Sequence, residues 1–145
     1  MYLPVTKYLD EFASLQNIRT VFTIHNLAYQ GTRSLDGDES SLAAWFPGMT
    51  PDFDAIRDPE HANCINPMAA AIRLADKVST VSPTYAQEIC RPSDPSTGFF
   101  GGEGLETLLQ AARDDGRLDG VLNGCKYSDL SGRRPGWQRI LAMLT

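Results

Sequence analysis

Residues 66–89, NPMAAAIRLADKVSTVSPTYAQEI, contain the pattern that decides the fold class. Asn66 is a good N-cap and Pro67 suits the first turn of a helix, so the sequence predicts a helix over residues 68–75. The β-branched residues within 77–82 predict a short β-strand directly after that helix. A helix followed at once by a strand is the repeating unit of α/β folds.

The same cap-and-proline pair recurs at Ser82 and Pro83, which predicts a second helix through Ile89. Elsewhere the helical signal is an apolar stripe whose members are three or four positions apart. These stripes predict helices over residues 4–16, over residues 105–113 and at the C-terminus. Their apolar members are Tyr8, Phe12 and Leu15, then Leu105, Leu108, Leu109 and Ala112, and finally Trp137, Ile140, Leu141 and Leu144.

Two further strands are predicted on either side of this unit. Residues 18–25, IRTVFTIH, form a β-branched and aromatic run that is typical of a buried strand. Residues 121–122, Val-Leu, predict a third short strand that ends at residues 123–124. The alternation of helices and strands predicts an α/β fold with a mostly parallel sheet.

The segments between these elements are typical of loops. Residues 26–31 leave the first strand, and residues 32–66 form a long, partly structured excursion rich in Gly, Pro, Asp and Ser. Residues 91–104 are a Gly, Pro and Ser loop with two adjacent phenylalanines. Long loops in compact domains are often functional, and ligands of parallel sheets bind at the carboxyl ends of the strands. We therefore expect the functional residues where the three strands end.

The composition disfavours several classes of protein. With 13 Lys and Arg against 18 Asp and Glu, the formal net charge is -5, which argues against nucleic acid as the principal partner. No apolar run approaches the roughly 20 residues that span a bilayer, so no membrane partner is expected. Cys64, Cys90 and Cys125 are widely spaced and odd in number, which is typical of free thiols in a reducing compartment. We expect one cytoplasmic domain of 145 residues.

Two features have more than one interpretation. His25 and Asn26 follow the first strand, so they either bind a polar ligand or satisfy backbone groups of the loop. The sequence has two histidines, His25 and His61, and three widely spaced cysteines, so no zinc site is predicted. Residues 99–104, FFGGEG, are either a flexible surface suited to sugar rings or a glycine-rich cap before the next helix. As a phosphate-binding loop this run is weak, because it lacks the Lys-Ser/Thr pair of a Walker motif.

Five segments, in the same order along roughly residues 18–140, resemble the family of bacterial glycogen synthases and plant starch synthases. The resemblance implies a glycosyltransferase of the GT-B architecture, in which two Rossmann-like domains with flanking helices enclose the active site. It implies glucosyl transfer from ADP-glucose to the non-reducing end of an α-1,4-glucan, with retention and with no cofactor or metal. The segments are TVFTIHNLAYQG (20–31), NPMAAAIRLA (66–75), VSTVSPTYAQEI (78–89), GGEGLE (101–106) and GVLNG (120–124).

The same resemblance implies which residues bind substrate. Three lie at the first strand exit and one at the third, and two more are expected on the acceptor side. The ligand that they would hold is an α-1,4-glucan or a maltooligosaccharide. The six residues are His25, Asn26 and Gln30, then Asn123, and finally Tyr85 and Glu103.

The resemblance places residues 1–145 in the later part of the N-terminal, glucan-binding domain of that family. The family's Lys-x-Gly-Gly-Leu loop and its C-terminal, donor-binding domain have no counterpart in the chain, so we expect the chain alone to be inactive. Its protein partner would be the missing half of a synthase or a second copy of the chain. The alternative is a non-catalytic module that binds glucan or a protein partner.

Overall fold

A computed structural model describes residues 2–124, apart from the side chain of Tyr2. Cys125 and the apolar stripe predicted at the C-terminus lie outside the described residues. Within residues 2–124, no helix is long and apolar enough to cross a membrane. The described helices are α1 (Tyr2–Tyr8), a 3-10 helix (Asp10–Leu15), α2 (Leu42–Trp45), α3 (Phe53–Ile56), α4 (Pro67–Leu74), α5 (Pro83–Glu88) and α6 (Glu106–Asp114). The described strands are β1 (Val21–Ile24), β2 (Arg33–Ser34), β3 (Cys64–Ile65), β4 (Lys77–Thr80) and β5 (Leu118–Gly120).

Strands β1, β4 and β5 form a parallel sheet with β4 in the centre. Val21 pairs with Lys77, and Val78 pairs with Leu118. Both crossovers between neighbouring strands contain helices, as parallel pairing requires. The predicted α/β fold with a parallel sheet is confirmed, and the residues that follow the three strands meet at one edge of the sheet.

The two helices that flank β4 in the chain begin as predicted. Asn66 Oδ1 accepts the backbone N–H of Ala69 at 2.8 Å, and Ser82 Oγ accepts the backbone N–H of Tyr85 at 2.9 Å. A proline occupies the first turn of both helices. These bonds satisfy backbone donors that have no partner inside the helix, which is why the local sequence is enough to place both starts.

Two hydrophobic clusters stabilise the fold. The main cluster joins the sheet to α4, α6 and Leu3 of α1, and Ile24 and Val78 in its centre are at most 1% exposed. The predicted excursion is confirmed as partly structured, since it contains α2, α3 and the antiparallel pair β2–β3. It has a small core of its own, formed by Leu42, Met49, Ile56, Ile65 and Ala70.

In the described part of the chain, helices cover one face of the sheet and the other face is polar. Side chains alternate between the two faces along a strand. On the uncovered face Thr23 Oγ1 and Ser79 Oγ are 2.8 Å apart, and Lys77 Nζ lies 3.7 Å from Asp119 Oδ2. With Val21, which is 68% exposed, these side chains form a surface of hydroxyl and charged groups.

The third strand lies earlier in the chain than predicted. The strand was predicted at Val121 and Leu122, but these residues are 61% and 73% exposed, and β5 ends at Gly120. Leu118 is the residue that enters the main cluster, and its register with β4 sets where the strand lies. The predicted position is therefore wrong, since β5 begins three residues and ends two residues before the predicted pair, and residues 123–124 lie beyond the sheet.

Two other boundaries differ from the prediction. β1 was predicted as a buried strand over residues 18–25, but it is an edge strand in which Ile24 alone is buried, because within residues 2–124 it has one neighbour, β4. The single helix predicted over residues 4–16 is divided in two. Leu9 is extended, with φ −109° and ψ 124°, and it separates α1 from the 3-10 helix.

Candidate functional site

The carboxyl edge of the sheet is the frame of the candidate site. Thr80 is buried at the end of β4, and its Oγ1 donates to the carbonyl of Ile24 at 3.1 Å. The carbonyl of Thr80 accepts the N–H of Val121 at 2.7 Å. These two bonds hold the ends of β1 and β5 on either side of β4, so the loops that leave β1 and β5 start side by side.

His25 is the first residue after β1, and its exposed side chain lines a cavity of about 440 Å³, the His25 cavity. The cavity lies along β1 beside α1 and α4. Its wall is largely apolar, with Leu3, Phe22 and Met68 among the residues that form it, and Gln30 adds a polar group near His25. An apolar wall with a few polar groups is typical of sites for small organic ligands.

The loop after His25 is held in one conformation. Asn26 Oδ1 accepts the backbone N–H of Ala28 at 2.9 Å, which turns the chain away from the strand. Leu27 is 1% exposed and anchors the loop in the main cluster, whereas Tyr29 is 81% exposed. Asn26 therefore satisfies a backbone group, and the rest of its exposed side chain is accessible to a ligand.

Gln30 joins this loop to two distant segments. Its Nε2 donates to the carbonyl of Glu103 at 2.9 Å, and its Oε1 accepts from Asn66 Nδ2 at 2.6 Å. Both ends of the amide are engaged by protein groups, so Gln30 fixes the shape of the cavity wall. Its predicted role in binding substrate stays a prediction.

Asp58 is a buried carboxylate that the sequence analysis did not identify. It is linked to Gln30 through Asn66, whose Nδ2 donates to both side chains. Its Oδ2 accepts from Asn66 Nδ2 at 2.9 Å and from Thr32 Oγ1 at 3.1 Å. Its Oδ1 accepts the backbone N–H groups of Glu60 and His61 and lies 3.0 Å from His61 Nδ1. Burial raises the pKa of Asp58, but these hydrogen bonds outweigh it and lower the pKa to about 2. The carboxylate therefore holds Asn66 in place as a permanent anion at neutral pH.

The two remaining residues predicted on the acceptor side, Tyr85 and Glu103, lie near each other, and Glu103 contacts Gln30. Tyr85 is half-buried on α5, and its pKa is raised. Burial is the main cause, a hydrogen bond with the backbone of Leu27 offsets part of it, and the negative charge of Glu103 raises the pKa further. Glu103 adopts a left-handed backbone conformation with φ 48°, and Gly104 follows it with φ 85°. This turn directs the Glu103 carbonyl at Gln30.

The glycine run before α6 packs closely against its neighbours. A Cβ on Gly101 would overlap the carbonyl of Arg91, and a Cβ on Gly102 would lie 2.6 Å from the Glu106 Cα. Both glycines are buried, so their backbone is turned inward and does not form an open cradle for a phosphate. Phe100 is 76% exposed, which leaves an aromatic face on the surface beside them.

The structure brings several of the six predicted residues together. His25 and Gln30 line the same cavity, and Gln30 and Glu103 line a second cavity of about 220 Å³. Tyr85 is close enough to Glu103 for the negative charge of Glu103 to raise the pKa of Tyr85. Asn123 is exposed three residues beyond the end of β5, so it lies at the same edge of the sheet but outside these cavities.

Comparison with known proteins gives related sequences. A family model described as starch synthase catalytic domain matches residues 2–111. The chain is 42% identical to the glycogen synthase of Deinococcus radiodurans over 114 residues, which are 77% of this chain and 22% of that protein. It is 45% identical to the glycogen synthase of Yersinia pestis over 107 residues, 73% of this chain and 20% of that protein. The chain therefore spans about one fifth of the length of the curated relatives it matches.

A solved structure with a similar fold agrees with these matches. It is the catalytic domain of Starch Synthase IV from Arabidopsis thaliana bound to ADP and acarbose. The TM-score is 0.61 at 30% sequence identity, over 84% of this chain and 22% of that chain.

Proposed function

The chain belongs to the starch synthase catalytic domain family, and from this membership we propose that it provides glucan-binding residues for the transfer of glucose from ADP-glucose to the non-reducing end of an α-1,4-glucan. The observation that carries the proposal is the match over residues 2–111, which include the loop after β1 and its cavity. The Arabidopsis relative, which has a similar fold, binds ADP and acarbose, a nucleotide and a sugar-derived ligand.

The His25 cavity has the chemistry that a glucosyl unit needs. A sugar ring presents C–H groups on its faces and hydroxyl groups around its rim. The apolar wall and the exposed ring of Tyr29 suit the faces, while the imidazole of His25 and the amide of Asn26 can exchange hydrogen bonds with hydroxyls. In this proposal His25, in the cavity wall, and Asn26, the next residue of the loop and outside the lining, orient the sugar, and Gln30 holds the wall in place.

The donor in this proposal is ADP-glucose, and no resident cofactor or metal takes part. Departure of the ADP group requires hydrogen-bond donors or cations aimed at the diphosphate, in a site closed to water. The carboxyl edge of the sheet contributes the sugar-facing side of such a site. We place the reaction in the cytoplasm, where free thiols such as Cys64 and Cys90 remain reduced.

A protein partner belongs to the same proposal, and the outer edge of β1, which pairs with no strand among residues 2–124, supports it. The Thr20 carbonyl accepts the N–H of Lys77, so Phe22 also turns its backbone groups toward β4. Val21 and Thr23, at the alternate positions, turn theirs away from the sheet. An unpaired edge is a template for another strand. We propose that a strand from the rest of a synthase, or from a second copy of the chain, adds there; sedimentation velocity of the chain alone distinguishes the two.

Titration of the chain with maltoheptaose tests the proposal. We expect His25→Ala to weaken binding about tenfold, which corresponds to the loss of about 1.4 kcal/mol of hydrogen bonding and contact. Gln87→Ala, an exposed polar residue on α5, is the matched control and should leave the affinity unchanged. Asn123→Ala should change it less than twofold, because Asn123 lies outside the cavity. Equal effects of His25→Ala and Gln87→Ala would refute the assignment of the site.

A transfer assay separates this proposal from a non-catalytic glucan-binding module. The chain is mixed with the part of the Deinococcus radiodurans enzyme that it does not match, and the incorporation of glucose from ADP-glucose into maltoheptaose is measured. We expect transfer that depends on the chain and that falls with His25→Ala. Binding of maltoheptaose without any transfer in the mixture would favour the non-catalytic module.

A further inference from the structure

Two neighbouring cavities share a wall. The His25 cavity and a smaller cavity of about 110 Å³ beside α2 are both lined by Gly31 and Pro67. A Cβ on Gly31 would lie 3.4 Å from the Pro67 side chain, so these two residues form a low saddle between the cavities. The two cavities and the saddle together form one surface groove that runs from the end of β1 to α2. We call it the Tyr29–Trp45 groove, after the aromatic residues that line its two ends.

Both ends of this groove carry an exposed aromatic ring. Tyr29 is 81% exposed in the wall of the His25 cavity, and Trp45 is 62% exposed in the wall of the smaller one. The indole Nε1 of Trp45 donates to the carbonyl of Glu39 at 2.8 Å, so the ring is held in place although it is exposed. An aromatic face that is exposed and already fixed can stack on an apolar ligand face with little loss of side-chain entropy.

The rest of the smaller cavity indicates what kind of ligand it accepts. Leu42, Phe46 and Ile65 make most of its wall apolar, and Arg33 and Ser40 add hydrogen-bonding groups at the rim. Arg33 is the one cationic residue in this lining, and the acidic run of residues 36–39, DGDE, lies close to it in the chain. The negative charge of that run disfavours an anionic ligand. A neutral ligand with apolar faces and a polar rim fits this lining, and a sugar ring is such a ligand.

We propose that the Trp45 end of the groove is a second glucosyl subsite for the same α-1,4-glucan. A glucan whose terminal unit lies in the His25 cavity would cross the saddle at Gly31 and Pro67 and stack a more distant unit on Trp45. The inference rests on the proposed function, because it extends the same ligand beyond the first cavity. It explains why a tethered Trp lies beside the cavity, and it predicts a preference for longer chains.

Comparison of a short and a long ligand tests the subsite. Binding of maltotriose and maltoheptaose is measured for the full chain, for Trp45→Ala and for Trp45→Phe, with Phe53→Ala as the control because Phe53 is an exposed aromatic outside the groove. We expect Trp45→Ala to weaken maltoheptaose binding about tenfold and maltotriose binding less than twofold. Trp45→Phe should restore most of the affinity, and Phe53→Ala should change neither ligand. In a Trp137→Phe background, maltoheptaose should also shift the emission of Trp45.

The outcomes separate the subsite from the function on which it rests. If His25→Ala weakens both sugars and Trp45→Ala weakens neither, the subsite is overturned and the proposed function stands. If neither sugar binds, both are overturned. If Trp45→Ala leaves sugar binding intact but dissociates a dimer in sedimentation velocity, the groove is an interface with a second copy and the subsite is overturned.

Discussion

The loops that leave β1 and β5 start side by side, yet they are held very differently. The β1 loop is fixed by the burial of Leu27, by the turn at Asn26 and by the two hydrogen bonds of Gln30. In the β5 loop, Val121 donates to Thr80, and residues 121–124 are all exposed. One edge of the sheet therefore carries a loop that several contacts hold and, over residues 121–124, an exposed segment with one described backbone hydrogen bond.

This difference has a consequence for binding. A loop that buried side chains and hydrogen bonds already hold loses little conformational entropy when a ligand binds, and a loop held by fewer contacts loses more. The β1 loop can therefore contribute to sugar binding in the chain as it stands. Asn123, which is exposed in the β5 loop and lines neither cavity, is expected to contribute little to that binding.

The largest effect should come from removing the residue that ties the β1 loop to α4. Asn66→Ala removes the cap of α4 and leaves the buried carboxylate of Asp58 and the oxygen of Gln30 without their shared donor. We expect a loss of about 3 kcal/mol in the free energy of unfolding, measured by urea denaturation. Ser82→Ala removes only the cap of α5 and should lose about 1 kcal/mol. Equal losses would show that the network adds nothing beyond the cap.

A smaller effect should follow from a change in the glycine run at residues 101–102, which precedes Glu103, the residue whose carbonyl accepts from Gln30 of the β1 loop. In Gly101→Ala the new Cβ overlaps the Arg91 carbonyl, so backbone must shift, and we expect a loss of about 2 kcal/mol in the free energy of unfolding. Gly124→Ala, in the β5 loop, has nothing within 4 Å of its new Cβ and should change stability by less than about 0.5 kcal/mol. Thermal denaturation of the two variants measures the contrast. A neutral Gly101→Ala would show that the run tolerates a side chain.

The last effect, similar in size to that of Gly101→Ala, is a dependence on pH. The pKa of Asp58 is about 2 in the folded chain and near 3.8 when unperturbed, so its charged form stabilises the fold above about pH 4, and this contribution is lost as the pH falls toward 2. We expect the contribution to be about 2 kcal/mol. Urea denaturation of the chain and of Asp58→Asn between pH 6 and pH 2 measures it. A gap between the two proteins that stays constant over this range would contradict the assignment.

Local signals predicted the middle of the fold well. The starts of α4 and α5 depend on a cap and a proline within four residues, and both lie where the sequence predicts them. β5 was misplaced because the burial of Leu118 depends on β4 and α6, whereas the apolar pair at Val121 and Leu122 has no core to enter. The exposure of β1 likewise depends on which strands lie beside it in the sheet, and the pattern of apolar residues along β1 does not predict its neighbours.

The candidate site likewise has features that local sequence predicts and features that depend on distant contacts. The position of His25 at the end of a strand follows from the strand itself, and the structure places it on a cavity wall. The partners of Gln30 are 36 and 73 residues away in the chain, so neither could be inferred from spacing. Asn66 was recognised only as a cap, and nothing in the sequence around Asp58 indicated a buried anion.

The polar face of the sheet, which no helix within residues 2–124 covers, limits how this part of the chain can assemble. A second layer laid over it would have to strip water from the Lys77–Asp119 ion pair and from the paired hydroxyls of Thr23 and Ser79, and would recover little apolar contact in return. Stacking sheet on sheet is thus disfavoured, and among residues 2–124 the edges of β1 and β5 are where a further strand could extend the sheet in its plane.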